Sequence, residues 1–125
     1  MILGIGVDLV DLARFEQHII ENPRLAERLF HPDELHYEMR QLAGSFAAKE
    51  ALVKALGGPD GLTWVELKVT RDNAGKPWLD AEGASAARLA EVGADKLHLS
   101  ISHDGGMLTA YVIAESLEQK GGSNA

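Results

Sequence analysis

The chain of 125 residues contains no cysteine, which excludes disulfides, thiolate metal sites and thiol nucleophiles together. It has no run of 18 or more apolar residues, so no helix long enough to cross a membrane is expected. No basic segment precedes the first apolar run, and a secretory signal peptide is not expected either. Positive charge is scarce. Twelve Lys and Arg face nineteen Asp and Glu, a net charge of −7, which argues against nucleic acid or an anionic membrane as partner. What is present is ordinary globular composition, 46% hydrophobic and 25% charged. These bounds predict a soluble, cytoplasmic protein with a single domain over residues 1–118 and a frayed tail over 119–125.

The first half reads as mostly helical. An apolar run over residues 2–9 predicts a strand, and Asp11 is placed to cap a helix reaching about His18 or Ile20. Asn22-Pro23 opens a second helical piece, and His31-Pro32-Asp33-Glu34 repeats the signal before Leu35–Arg40. A longer helix is predicted over Leu42–Leu56, stopped by Gly57-Gly58-Pro59. The second half changes period. Trp64–Thr70 alternates, Asp72–Lys76 turns, and Pro77-Trp78-Leu79 returns as a hairpin. A small helix over Ala84–Val92 follows, then two strands joined by a turn at His103–Gly106. The expected class is α+β, a mostly antiparallel sheet packed against helices.

Asp8 stands inside the first apolar run, where an ionised carboxylate must find a cation, a set of donors or a metal. Its plainer reading is a cap on the turn that follows. On the long helix, Leu42, Phe46, Val53 and Leu56 form one stripe expected to face the core. Ala43, Ala47, Glu50 and Lys54 form another, where small residues leave room for a ligand along the helix. Glu50 and Lys54 are one turn apart, as suits a metal-binding acid beside a phosphate-binding ammonium, or an ordinary surface ion pair. Two carboxylates completed by water and phosphate oxygens suit Mg²⁺, a hard ion that keeps much of its hydration. Gly4-Ile5-Gly6 is not a dinucleotide fingerprint, because Leu9 occupies the place of the third glycine. Ser102-His103-Asp104 cannot form a relay within one strand, since His103 points opposite to its neighbours.

Gly4-Ile5-Gly6-Val7-Asp8-Leu9-Val10, Phe46-Ala47-Ala48-Lys49-Glu50-Ala51 with Lys54-Ala55, and Ser100-Ile101-Ser102-His103 resemble holo-(acyl-carrier-protein) synthase. This is the small bacterial class of 4′-phosphopantetheinyl transferases. The blocks occur in the family's order and reach from the first strand to the last hairpin. The resemblance implies the 4′-phosphopantetheinyl transferase-like fold and transfer of phosphopantetheine from coenzyme A to a serine of an apo acyl carrier protein, releasing adenosine 3′,5′-bisphosphate. It implies Asp8 and Glu50 as Mg²⁺ ligands, Lys54 on the coenzyme A phosphates and His103 at the nucleotide. Lys49 and Gly57 belong to the same blocks and are carried as candidate coenzyme A contacts. It also implies a homotrimer with sites between subunits and a place in fatty acid biosynthesis.

Arg14 resembles the family's carrier-docking arginine, and Arg24 and Arg28 are candidates to extend that patch, diluted by Glu16, Glu21 and Glu27. Ser45 departs from the family, which often has an arginine there for the ribose phosphate; Arg40 is the candidate replacement. Two other classes stay open: a Mg²⁺-dependent nucleotide-diphosphate phosphohydrolase, and a non-catalytic module that binds carrier proteins.

Overall fold

Strand β1 covers Ile2–Asp11 in the computed structural model, which describes residues 1–118. The predicted tail, 119–125, lies outside the described residues. Helix α1 (Leu12–Glu21) follows, capped by the Asp11 carboxylate, which accepts from the Arg14 N–H at 3.0 Å. A short helix α2 (Leu25–Leu29) and a 3₁₀ turn at Pro32–Glu34 lead to the long helix α3 (Met39–Leu56). The helical signal at His31–Glu34 therefore yields one tight turn rather than a helix over Leu35–Arg40. Its cap is local: Asp33 N–H donates to His31 Nδ1 at 3.0 Å. Helix α3 starts earlier than expected, because Gln41 Oε1 accepts from the Glu38 N–H at 3.0 Å.

The remaining elements are β2 (Leu67–Arg71), β3 (Pro77–Ala81), α4 (Gly83–Glu91), β4 (Lys96–Asp104) and β5 (Met107–Glu115). They make two antiparallel sheets, β1-β5-β4 and β2-β3, with β3 packed beside β4. Strand β2 begins three residues later than its alternation suggests. Trp64–Glu66 is a 3₁₀ turn that presents Glu66 to α4, where its carboxylate accepts from Ala84 N–H, Ser85 N–H and Ser85 Oγ.

Register sets the working face of the larger sheet. Asp8 pairs with Ala110 and Ala110 with Ile101, while Gly6 pairs with Val112 and Val112 with Leu99. Gly6, Val10, Leu108, Ala110, Val112, Ala114 and Leu99 are buried under α3. The opposite face is exposed and apolar, with Ile5 61%, Leu9 64%, Val7 41% and Tyr111 48% accessible.

Helix α3 is central rather than amphipathic. Ala43, Ala47, Ala48, Ala51 and Leu52 are all fully buried. This corrects the ligand shelf, since Ala43 and Ala47 leave no room for one, while in the predicted core stripe Leu42 is buried, Phe46 and Leu56 pack half-buried against the core, and Val53 is half-buried. Small residues serve close approach of helix and sheet. A Cβ on Gly4 would lie 1.9 Å from the Ala55 carbonyl oxygen, and one on Gly6 1.8 Å from that of Ala51. The Gly4-Ile5-Gly6 motif is a packing seam. Fully buried side chains such as Leu52 and Leu67 contribute about 1.5–3 kcal/mol each.

Candidate active site

The sheet and α3 bring Asp8, Glu50 and Lys54 together. Asp8 sits midway along β1 on the face turned toward α3, with its carboxylate 15% exposed. Lys54 Nζ donates to Asp8 Oδ1 at 3.1 Å and to the Val7 carbonyl at 2.9 Å. Thr109 Oγ1 holds the backbone of Asp8 by donating to its carbonyl at 2.8 Å. Asp8 caps no helix, a role that Asp11 fills; it lines the cleft beside α1 instead.

Glu50 lies one turn before Lys54, at the edge of the same cleft. Burial, and then the Asp8 charge, raise its carboxyl above the usual range, with Lys54 pulling it down. Two carboxylates whose charges repel, with one exposed ammonium nearby, are the groups that could hold a cation. Among the described residues no group of three or more acidic or histidine ligands occurs. An ion here would take two protein carboxylates and fill its remaining positions with oxygens from elsewhere, which fits Mg²⁺.

The cleft has a volume of about 300 Å³ and a mixed lining. Asp8, Asp11, Arg14 and Glu50 are its charged members, and Phe15, Ile19, Leu29 and Phe46 are apolar ones. The apolar part of the lining was missed from sequence. Phe15 and Ile19 are four residues apart on α1, which is the signal that could have found it.

His103 is not brought to this cleft. It stands on β4 opposite Leu108, with β5 between it and β1. It lines a second cleft of about 300 Å³ with Arg40, Gln41, Gly44, Arg71 and Leu108. Arg40, the candidate substitute at Ser45, is therefore beside His103. Arg71 joins them with a guanidinium steadied by the Gly75 carbonyl at 3.0 Å. No carboxylate lines this second cleft, in a chain whose net charge is −7.

Two other candidates have different surroundings. Gly57 is the left-handed C-cap of α3, φ 82°, with its N–H on the Lys54 carbonyl. Lys49 faces away from the cleft and is fully buried. Its Nζ donates to Glu34 Oε1 at 2.7 Å and to the Leu29 carbonyl at 2.9 Å, leaving it unable to meet a phosphate in the cleft. Glu34 was not singled out from sequence. It also accepts from Val69 N–H at 2.9 Å, His31 N–H at 3.1 Å and Ser45 Oγ. Burial lowers the Lys49 pKa and the Glu34 charge opposes that. Removing one partner of such a pair costs about 3–5 kcal/mol.

Arg14 is an exposed residue of the first cleft's lining, whereas Arg24, just before α2, and Arg28, on it, are exposed outside the lining.

The 4′-phosphopantetheinyl transferase superfamily model matches residues 4–114. The chain belongs to that superfamily. A holo-[acyl-carrier-protein] synthase of Clavibacter sepedonicus is 50% identical over 115 residues, covering 92% of this chain and 97% of the relative. One from Kocuria rhizophila is 49% identical over 118 residues, covering 94% and 96%. The crystal structure of holo-[acyl-carrier-protein] synthase from Neisseria meningitidis superposes with a TM-score of 0.86 at 32% identity, over 93% of this chain and 100% of that one. The Helicobacter pylori synthase in complex with coenzyme A gives 0.77 at 29% identity, over 89% and 99%. This superfamily member therefore has the α+β fold its sequence predicts, and no helix among its described residues is long and apolar enough to cross a membrane.

Proposed function

We propose that this chain is a Mg²⁺-dependent holo-(acyl-carrier-protein) synthase. It moves 4′-phosphopantetheine from coenzyme A to a serine of an apo acyl carrier protein and releases adenosine 3′,5′-bisphosphate. The observation that carries this reading is the convergence of Asp8, Glu50 and Lys54 from β1 and α3.

Asp8 and Glu50 would hold the metal, which supplies neutralisation of the diphosphate charge as the leaving group departs. Lys54 reaches into solvent from the same point and suits the phosphate oxygens. The serine oxygen attacks the pantetheine-side phosphorus in line, forming one P–O bond as the bond to the bridging oxygen breaks. The serine proton passes to Glu50 or to a water at the site. The bisphosphate leaves with the electron pair.

His103, Arg40 and Arg71 suit the other end of coenzyme A, where the nucleotide carries its ribose phosphate. Arg14 docks the acidic carrier, with Arg24 and Arg28 extending its surface. The exposed face of Ile5, Val7, Leu9 and Tyr111 is a large apolar surface without cover in one chain. We propose that it packs against other copies in a homotrimer, which would set the His103 cleft of one copy against the Asp8 cleft of the next. Residues 1–118 act as one domain, and the reaction belongs to the cytoplasm and to fatty acid biosynthesis.

Intact-mass spectrometry of an apo carrier mixed with coenzyme A, Mg²⁺ and the protein tests the reaction. A gain of roughly 340 Da, the mass of one phosphopantetheinyl group transferred to serine, is expected. Bisphosphate released at full rate without a carrier would indicate a phosphohydrolase instead, and neither product would leave a binding module.

A further inference from the structure

Lys49 is the only lysine of an ion pair among the described residues with both side chains fully closed to solvent. The seam between α3 and the sheet does not need it. That seam is made by Ala51 and Ala55 against Gly6 and Gly4, on another side of the helix. What Lys49 holds is α2. This helix is five residues long and buries none of them. Its C-terminal end is fixed by Phe30 in the core and by the bond from Lys49 Nζ to the Leu29 carbonyl. The same ammonium lies 5.2 Å from the centre of the Phe30 ring.

Glu34 completes the tie. One carboxylate, an acceptor only, binds donors from α3 (Ser45 and Lys49), from β2 (Val69) and from the 3₁₀ cap (His31). The ammonium that ends at Leu29 is therefore fixed on three sides. Leu29 in turn lines the same cleft as Asp8 and Glu50.

We infer that Lys49 is a positioning residue for the carrier side of the active site, acting through Leu29 and the α2 surface that bears Arg24 and Arg28. This deepens the transferase reading and rests on it. Lys49 touches neither coenzyme A nor the reacting atoms; it sets the lining that the carrier meets.

The test is steady-state transfer by full-length Lys49→Met, which keeps most of the side-chain volume and removes the donor. Carrier is varied at saturating coenzyme A, and coenzyme A at saturating carrier. The carrier KM should rise about fivefold or more, while kcat and the coenzyme A KM stay within about twofold. Leu29→Ala, which keeps the carbonyl and the ion pair, should raise the carrier KM in the same way. Leu89→Ala, on the buried side of α4 and away from the cleft, should lower the melting temperature and leave the carrier KM alone. An unchanged carrier KM in folded Lys49→Met or in Leu29→Ala overturns the inference. So does an equal rise in Leu89→Ala, which would assign the effect to lost stability. If Lys49→Met does not fold, the neutral pair Glu34→Gln with Lys49→Met replaces it, and Leu29→Ala decides alone if that pair also fails. Failure of the transferase reading itself looks different: the unaltered protein would transfer nothing.

Discussion

Gly6 lies directly against the Ala51 carbonyl, with room for a hydrogen and nothing larger: a Cβ would stand 1.8 Å from that oxygen. The contact is backbone on both sides, so no rotamer change relieves it. Gly6→Ala should force α3 away from the sheet and cost about 3 kcal/mol or more. Because Asp8 is two residues along β1 and Glu50 one residue before Ala51, the same shift should separate the two carboxylates. Urea denaturation should show the lost stability, and transfer activity should fall further than the unfolded fraction accounts for. A variant with full activity and unchanged stability would refute the seam.

Glu50→Gln tests the metal site through stability as well as rate. The Glu50 pKa is raised in the folded protein, chiefly by burial and then by Asp8. The folded state therefore binds more protons than the unfolded chain between the ordinary value of 4.5 and the raised one. Stability is lost as pH rises through that window. Glu50→Gln removes this cost, so without metal its melting temperature at neutral pH should be equal to or above that of the unaltered chain. Its turnover should fall on the order of a hundredfold or more, as for loss of a charge-stabilising group. Mg²⁺ should raise the melting temperature of the unaltered chain by mass action and leave Glu50→Gln unmoved. Equal thermal shifts in both would remove Glu50 from the metal site.

The residues that converge at the candidate site could be read from sequence because each breaks a pattern: Asp8 interrupts an apolar strand, and Glu50 and Lys54 are charges among alanines. Lys49 breaks the same pattern, yet its environment was hidden. Helical periodicity orders residues around an axis and says nothing about how many sides other elements cover. With the sheet on one side and α2, β2 and the Pro32–Glu34 turn on others, α3 beyond its first turn, where Arg40 and Gln41 are exposed, has its charged wet edge at Glu50 and Lys54. Glu34, the partner that explains Lys49, stood in sequence only as the last residue of a helix-start signal, and it caps that turn as well. The helices, hairpins and antiparallel class followed from local signals. The division of strands into two sheets did not, because pairing of β1 with β5 joins the ends of the chain.

Arg14 is the one arginine or lysine that lines the Asp8 cleft among the described residues. Arg14→Glu reverses a charge where an acidic partner is expected. The carrier KM should rise about tenfold, about 1.4 kcal/mol, and the effect should shrink as salt is added. Coenzyme A affinity, measured by calorimetry without carrier, should not change. A loss of coenzyme A binding instead would move Arg14 to the nucleotide side.

Glu66 gives a pH test independent of the active site. Its pKa is lowered by the Ser85 hydroxyl, then by the Ser85 and Ala84 N–H groups, at the start of α4. A depressed carboxylate contributes stability that is present above its ordinary value, 4.5, and is lost as pH falls through the folded value. Glu66→Gln should be less stable than the unaltered chain at pH 7, and the gap should narrow below about pH 4.5. Parallel stability curves over the acid range would show that the cap contributes nothing through its charge.

The exposed sheet face bears on assembly. Ile5 and Leu9 are 61% and 64% accessible, on the side of β1 opposite Asp8. A charge introduced there leaves the fold of one chain intact, since neither side chain is in its core. Ile5→Glu with Leu9→Glu should lower the solution mass, measured by light scattering, from that of a trimer to that of one chain. If the site is shared between copies, transfer should disappear with the trimer although Asp8, Glu50 and Lys54 are untouched. Activity retained by a monomer would mean that the Asp8 cleft works without the His103 cleft of another copy. Mass unchanged by both charges would mean that the apolar face is covered by something other than a second copy.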